Sequence, residues 1–289
     1  MNVIKNRKIF SMISLTIIIV GILMFAFKGL NYGIDFTGGT LIQINVGKFI
    51  SVDEAREIVD QYDEEASILH AGDKQEELII KSTLDLSNDD TTSIIDQFID
   101  KYDVEKNSFQ SEKFGAFMGK EIRSKAMLSM LIATVAMLAY ITWRFELNFG
   151  IAAIVALVHD ILIMFAVYSI FRIPVNSSFI AAILTVVGYS INDTIVIFDR
   201  MRENLKLYPR WTLEETINGS IKHSMRRTVN TTITTLISVL VLYIIGVEAV
   251  KELALPLIIG IIAGTYSSLF IASPIWYELK NRNTIKTAK

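Results

Sequence analysis

Three ionisable side chains stand inside apolar runs, where carboxylates and imidazoles carry protons or pair with opposite charge. Asp193 closes the string Gly188-Tyr-Ser-Ile-Asn-Asp193, and His159-Asp160 lie ten or eleven residues into another run. Each costs roughly 2.5–3.5 kcal/mol on insertion scales, so each needs a partner or a job. Counting back from Asp199 at about 1.5 Å per residue puts Asp193 about 9 Å deep. Tyr189 and Ser190, four and three residues before it, share its face, and Asn192 adjoins it. Arg227 supplies a candidate counter-charge at the start of the next run. Thr231, Thr234, Thr235 and Ser238 follow it at offsets of 4, 7, 8 and 11, one polar stripe that Thr228 and Thr232 widen. A long Arg side chain reaching inward comes level with Asp193, so an ion pair is expected there. His159 and Asp160 are about 100° apart on a helix and are not expected to face one partner. One of them is expected to bond a neighbouring helix as a secondary, structural site.

These residues need membrane helices to hold them. Of 289 residues, 52% are apolar and 20% charged, with a mean hydropathy of +0.43, a balance tilted toward lipid. Six runs are long enough to span a bilayer core, which takes roughly 20 residues of helix: Ile9–Phe27, Ala126–Trp143, Phe149–Phe171, Ser177–Phe198, Val229–Gly246 and Leu253–Tyr277. The first is too long for a typical signal-peptide core and lacks a small-residue cleavage site, so it reads as an anchor. With the N-terminus inside, inner segments collect 15 Lys and Arg, against only Arg172 and Lys251 in the short outer loops. Both termini are therefore expected in the cytoplasm. Gly260, Gly264, Ser268 and Ala272 form a small-residue ridge suited to close helix packing. Zero cysteines remove disulfides, thiolate metal sites and cysteine nucleophiles together.

Charge is uneven. Residues 28–125 carry a net charge of −9, which marks a soluble insert, and no basic stripe on it suggests nucleic acid. Thr40–Val46 alternates as a strand, and Ser51-Val-Asp-Glu54 is a capping box opening a helix to about Tyr62 with Ala55, Ile58 and Val59 inward. Ala66–His70 and Glu77–Ser82 flank a Gly72-Asp73 turn. A second helix starts near Asn88 and buries Ile94, Ile95, Phe98 and Ile99; a last strand falls around Val104–Ser111. The order β-α-β-β-α-β is the ferredoxin-like split motif. The expected division is a first spanning helix (1–30), an exterior ferredoxin-like α+β domain (31–120), five further spanning helices (121–280) and a cytoplasmic tail (281–289). Gly33, Asp35, Phe36, Gly38 and Gly39 join the first helix to the first strand and read as a hinge loop. No helix follows them directly, so a phosphate loop is a poor reading.

Together these strings resemble the SecF family of protein-export membrane subunits. The resemblance rests on Gly33-Ile-Asp-Phe-Thr-Gly-Gly39, Ala156-Leu-Val-His-Asp160, the long Val187–Asn204 motif around Asp193, and Arg227-Thr with the threonine run, and it covers nearly the whole chain. It implies an RND-type helical membrane fold paired with SecD, and proton-motive-force-driven assistance to a polypeptide translocating through SecYEG. It also implies a bacterial or archaeal cell membrane. Positions matching Asp193 and Arg227 belong to that family's proton path. A carboxylate ringed by hydroxyls suits a proton or Na⁺ alike, and no cofactor, metal or bond-making enzyme activity is expected. The alternatives are an RND-type proton-coupled exporter of lipid or small molecules, a structural scaffold for SecD, and an intramembrane hydrolase using His159, Asp160 and a serine. No nucleophile elbow supports the last.

Overall fold

The computed structural model describes residues 2–72, 74–104 and 108–287. Six helices in it are long and apolar enough to cross a membrane. They are α1 (Arg7–Lys28), α5 (Ala116–Arg144), α6 (Leu147–Ile170), α7 (Ser177–Leu207), α8 (Leu213–Ile245) and a sixth built from α9 (Glu248–Ser267), a π-turn (Ser268–Ala272) and α10 (Ser273–Thr287). Between α1 and α5 lie α2 (Ile34–Thr37), β1 (Gly39–Asn45), α3 (Val52–Val59), β2 (Ser67–Ala71), β3 (Glu77–Ser82), α4 (Asn88–Tyr102) and β4 (Phe109–Phe114).

The sheet runs β2-β3-β1-β4 with every pair antiparallel, the strand order of the split β-α-β motif. Its inner face sets Ile42, Ile44, Leu78 and Ile80 against Ala55, Ile58, Ile94 and Phe98. Both helices open with capping boxes, Ser51 with Glu54 and Ser87 with Asp90, which satisfy otherwise orphaned first-turn N–H groups. Ile99 is only partly buried. The last strand lies further on than Val104–Ser111. Val104 is buried and closes the core after Asp103 ends α4 in a left-handed turn, and pairing begins at Phe109 opposite Ile44. Residues 105–107 of the expected strand, and Asp73 of the expected turn, lie outside the described residues.

In the membrane part, α6, α7 and the sixth helix make the core, with Phe149 stacked on Trp276 at 4.6 Å and Tyr168 tilted against Phe179 at 4.2 Å. A Cβ at Gly260 would strike Val186 and one at Gly264 would strike Ser190, so the glycine ridge lets α9 close on α7. Three helices run past their apolar runs. α7 continues to Leu207; α8 starts at Leu213, where Thr212 and Glu215 form a third capping box; and α5 starts at Ala116. Arg227 therefore lies fourteen residues inside α8 rather than opening it.

Candidate functional site

Asp160 is the hub of the buried polar groups. Its Oδ2 accepts from Ser190 Oγ on α7 at 2.6 Å and from Ser267 Oγ on α9 at 2.9 Å. His159 sits beside it, with Nδ1 3.0 Å from Asp160 Oδ1 and Nε2 2.8 Å from Ser14 Oγ on α1. With Nδ1–H donated to the carboxylate, Nε2 accepts from the Ser14 hydroxyl, and every polar atom of the chain of groups is satisfied. His159 and Asp160 thus face different outside partners, Ser14 on α1 for the one and Ser190 with Ser267 for the other, while the contact between them joins both into one network. The two side chains leave α6 about 100° apart, but α1 flanks one side and α7 with α9 the other, and the imidazole is long enough to turn back onto Asp160. Ser14–His159–Asp160 has the bonding order of a hydrolytic triad. It lacks an oxyanion site, because the surrounding backbone N–H groups are spent inside helices, and Ser14 is only 5% exposed.

Asp193 is different. It is 3% exposed, and its Oδ2 is buried with no partner. Among the described residues it makes no hydrogen bond and no ion pair, so the expected Asp193–Arg227 contact is absent. The reason is rotational: on α8, Ser224, Thr228 and Thr232 face inward and Arg227 faces out. Thr228 Oγ1 is likewise buried and unpartnered. Buried polar groups almost always find partners, so Asp193 and Thr228, on the inward faces of packed helices, contrast with the satisfied groups around Asp160.

The remaining expected site residues divide. Ser190 serves Asp160 rather than Asp193. Asn192 points outward. Tyr189 reaches Thr235 Oγ1 at 3.4 Å. The stripe hydroxyls bond back into their own helix: Thr231 to Arg227 O, Thr235 to Thr231 O and Ser238 to Thr234 O. Thr232 crosses to Thr265 at 2.8 Å. Ser14, Thr194, Thr265 and Ser267 were not anticipated as site residues. Thr194 meets Ser268 at 2.8 Å, and the Ser268 hydroxyl also donates to Ser190 O at 3.2 Å. A hydroxyl pair at 267–268 followed by Pro274 was the available signal, since π-turns recur at functional sites.

Gly33–Gly39, expected as a hinge loop, is a packed segment. It contains the single turn α2, with Ile34 and Phe36 buried. Gly38 at φ +78° and Gly39 at φ +144° hold conformations that favour glycine, and a Cβ on Gly39 would strike Ser82 O.

Two family models match the chain. Protein export membrane protein SecD/SecF, C-terminal, covers residues 94–282, and the SecD/SecF GG motif covers residues 24–48. The chain is 38% identical over 269 residues to the protein translocase subunit SecF of Desulfurispirillum indicum, covering 90% of this chain and 86% of that one. It is 39% identical over 270 residues to the SecF of Magnetococcus marinus, covering 91% and 86%. A crystal structure of SecDF, a translocon-associated membrane protein from Thermus thermophilus, matches with a TM-score of 0.83 at 32% identity over 97% of this chain. The chain spans 39% of that SecDF chain.

Proposed function

The chain belongs to the SecD/SecF family of protein-export membrane proteins, and from that premise we propose that it assists protein translocation through SecYEG, together with SecD, by drawing on the proton motive force. The observation that carries this is Asp193: a carboxylate sealed in a membrane helix with no partner. Neutral, such a group is tolerated in an apolar bundle. Ionised, it needs a cation or water, so gain and loss of a proton favour different packings of α7 and α8. Arg227 is the nearby cation on α8, free to turn toward the site in the ionised state. Each charge crossing the field is worth about 2.3 kcal/mol per 100 mV, enough to bias such a pair of packings.

SecD as a partner is supported by the outward face of α8. Arg227, Thr234 and Ser238, with Asn192 on α7, are exposed in this chain alone, and polar membrane residues face protein or water rather than lipid. In the proposed orientation both termini are cytoplasmic and the α+β part is exterior, following the Lys and Arg distribution.

The test is Asp193→Asn, which keeps the shape of the protonated acid. SecD co-purification should be normal, and proton-motive-force-stimulated secretion should be lost. Normal stimulated secretion would remove Asp193 from the mechanism. Replacing a proton gradient by a Na⁺ gradient in the same assay identifies the ion.

A further inference from the structure

The exterior end of α7, the helix that carries Asp193, is held by the glycine segment. Asp35 Oδ2 accepts the first backbone N–H of α7, from Ser177, at 2.7 Å. Asn176, the N-cap, accepts from Phe179 N at 3.0 Å and donates from its amide to Glu252 Oε2 on α9 at 2.9 Å. Glu252 Oε1 in turn meets Lys81 Nζ on β3 at 2.8 Å. Backbone pairing joins the same parts: Gly33 N to Val175 O at 2.8 Å and Val175 N to Asn31 O at 2.7 Å. A carboxylate at a helix N-terminus also meets the positive end of the helix dipole, so Asp35 is doubly suited to its place.

The segment is fixed at its other end too. Gly39 lies against Ser82 O of β3, and a Cβ on Gly119 of α5 would strike Phe36 O. Ile34 and Phe36 are buried, so the turn has no slack of its own. The open face of the sheet, through Ser67 and Leu69, looks across a crevice of about 340 Å³ toward Tyr168, Asn176 and Glu252.

We propose that Gly33–Gly39 is a rigid strut fixing the exterior domain to the outer ends of α7 and α9, with Asp35 as the positioning residue that transmits displacement of α7 to that domain. This rests on the reading that α7 repacks when Asp193 changes state. It differs from a hinge in its consequence: the exterior domain follows the fourth and sixth spanning helices rather than swinging independently on α1 and α5. Lys81, Glu252 and Asn176 form the second attachment, so the domain is held at two points and tilts as a body.

The chain has no cysteine, so introduced thiols report alone. Tyr32 and Val175 are bridge partners, a backbone approach compatible with a disulfide. In the complex with SecD, a Tyr32→Cys/Val175→Cys pair should give equal stimulated secretion oxidised and reduced, because a strut stays closed through the cycle. Loss on oxidation with recovery on reduction would overturn the proposal. A second readout does not depend on secretion. Ser67→Cys, in the crevice, should react slowly with a membrane-impermeant maleimide, and about fivefold faster when Asp35→Ala is added, from the loss of one hydrogen bond. Asp35→Asn, which keeps an acceptor for Ser177 N–H, should stay near the slow rate. Equal rates with Asp35 and with Asp35→Ala would overturn the role of Asp35. Asp193→Asn should lose secretion while labelling stays slow, so failure of the export reading and failure of the strut are distinguishable.

Discussion

At the scale of single residues, two buried carboxylates of the same type do opposite work. Asp160 has three donors and holds α1, α6, α7 and α9 together; Asp193 has none. His159→Ala removes the link from Asp160 to Ser14 and empties space between α1 and α6. Leaving buried polar partners unsatisfied costs about 1–3 kcal/mol, so accumulation of the protein should fall more than secretion per folded molecule, as quantitative immunoblotting alongside the secretion assay would reveal. Full accumulation with abolished export would instead place His159 in the proton path. Arg227→Ala breaks no ion pair here and removes an exposed side chain. It should therefore accumulate and bind SecD normally and lose stimulation. Had the ion pair expected from the sequence been formed, the same substitution would strand a buried carboxylate and impair folding. Misfolding of Arg227→Ala that Asp193→Asn repairs would show that the pair forms in the resting complex.

At the scale of elements, caps and strand register decide where the units end. The exterior unit has one core, four strands and two capped helices, so residues 38–115 should fold alone as a monomer. A piece ending at 112 removes Lys113 and Phe114, which pair with Thr40 and Gly39, and should be less stable. A random-coil circular dichroism spectrum of the longer piece would sink this prediction. Within it, hydrogen bonds from the Ser51 backbone and side chain hold the Glu54 carboxyl below its ordinary value of 4.5. A folded-state value below the unfolded one stabilises the unit above the unfolded value, and that stability is lost as the pH falls through the folded one. Glu54→Gln should thus flatten the thermal midpoint's dependence on pH below about 4.5, the unfolded-state range. Ser51→Ala should cost about 1 kcal/mol through loss of the cap.

At the scale of the molecule, the membrane bundle is gripped at both ends. At one end, the proposed strut and the Lys81–Glu252–Asn176 chain join it to the four-stranded sheet. At the other end, Asn218 on the extended first turns of α8 accepts from Val3 N at 2.8 Å and Ile4 N at 3.4 Å, and Arg7 pairs with Glu278 at 2.8 Å. The α8 stripe is left as the polar outward face. A tryptophan at Ser238 should therefore lower SecD co-purification, whereas a tryptophan at Ile19, on the apolar outer face of α1, should leave it unchanged. Equal recovery of SecD with both variants would move the partner to another face.

The spans, the acidic insert, its β-α-β-β-α-β order and the Ser51–Glu54 cap were legible in the sequence, because each is set by spacing along one segment: 3.6, 2 or about 20 residues. The ionisable membrane residues were legible too, since their cost in lipid is independent of neighbours. What the tertiary structure alone decided is which of them meet. Ser190 turned to Asp160 and not to Asp193, Ser14 completed the His159 network from a distant helix, Arg227 faced outward, and the glycine segment packed against Val175, Ser177, Ser82 and Gly119. Spacing within a helix determines which residues share a face, but not the direction in which that face points. In a bilayer the choice among faces is not forced by burial, because lipid tails are as apolar as the leucines they touch. Small-residue contacts such as Gly264 on Ser190, the π-turn after Ser267 and the hydrogen bonds between helices set the rotation instead, and those exist only once the helices are together.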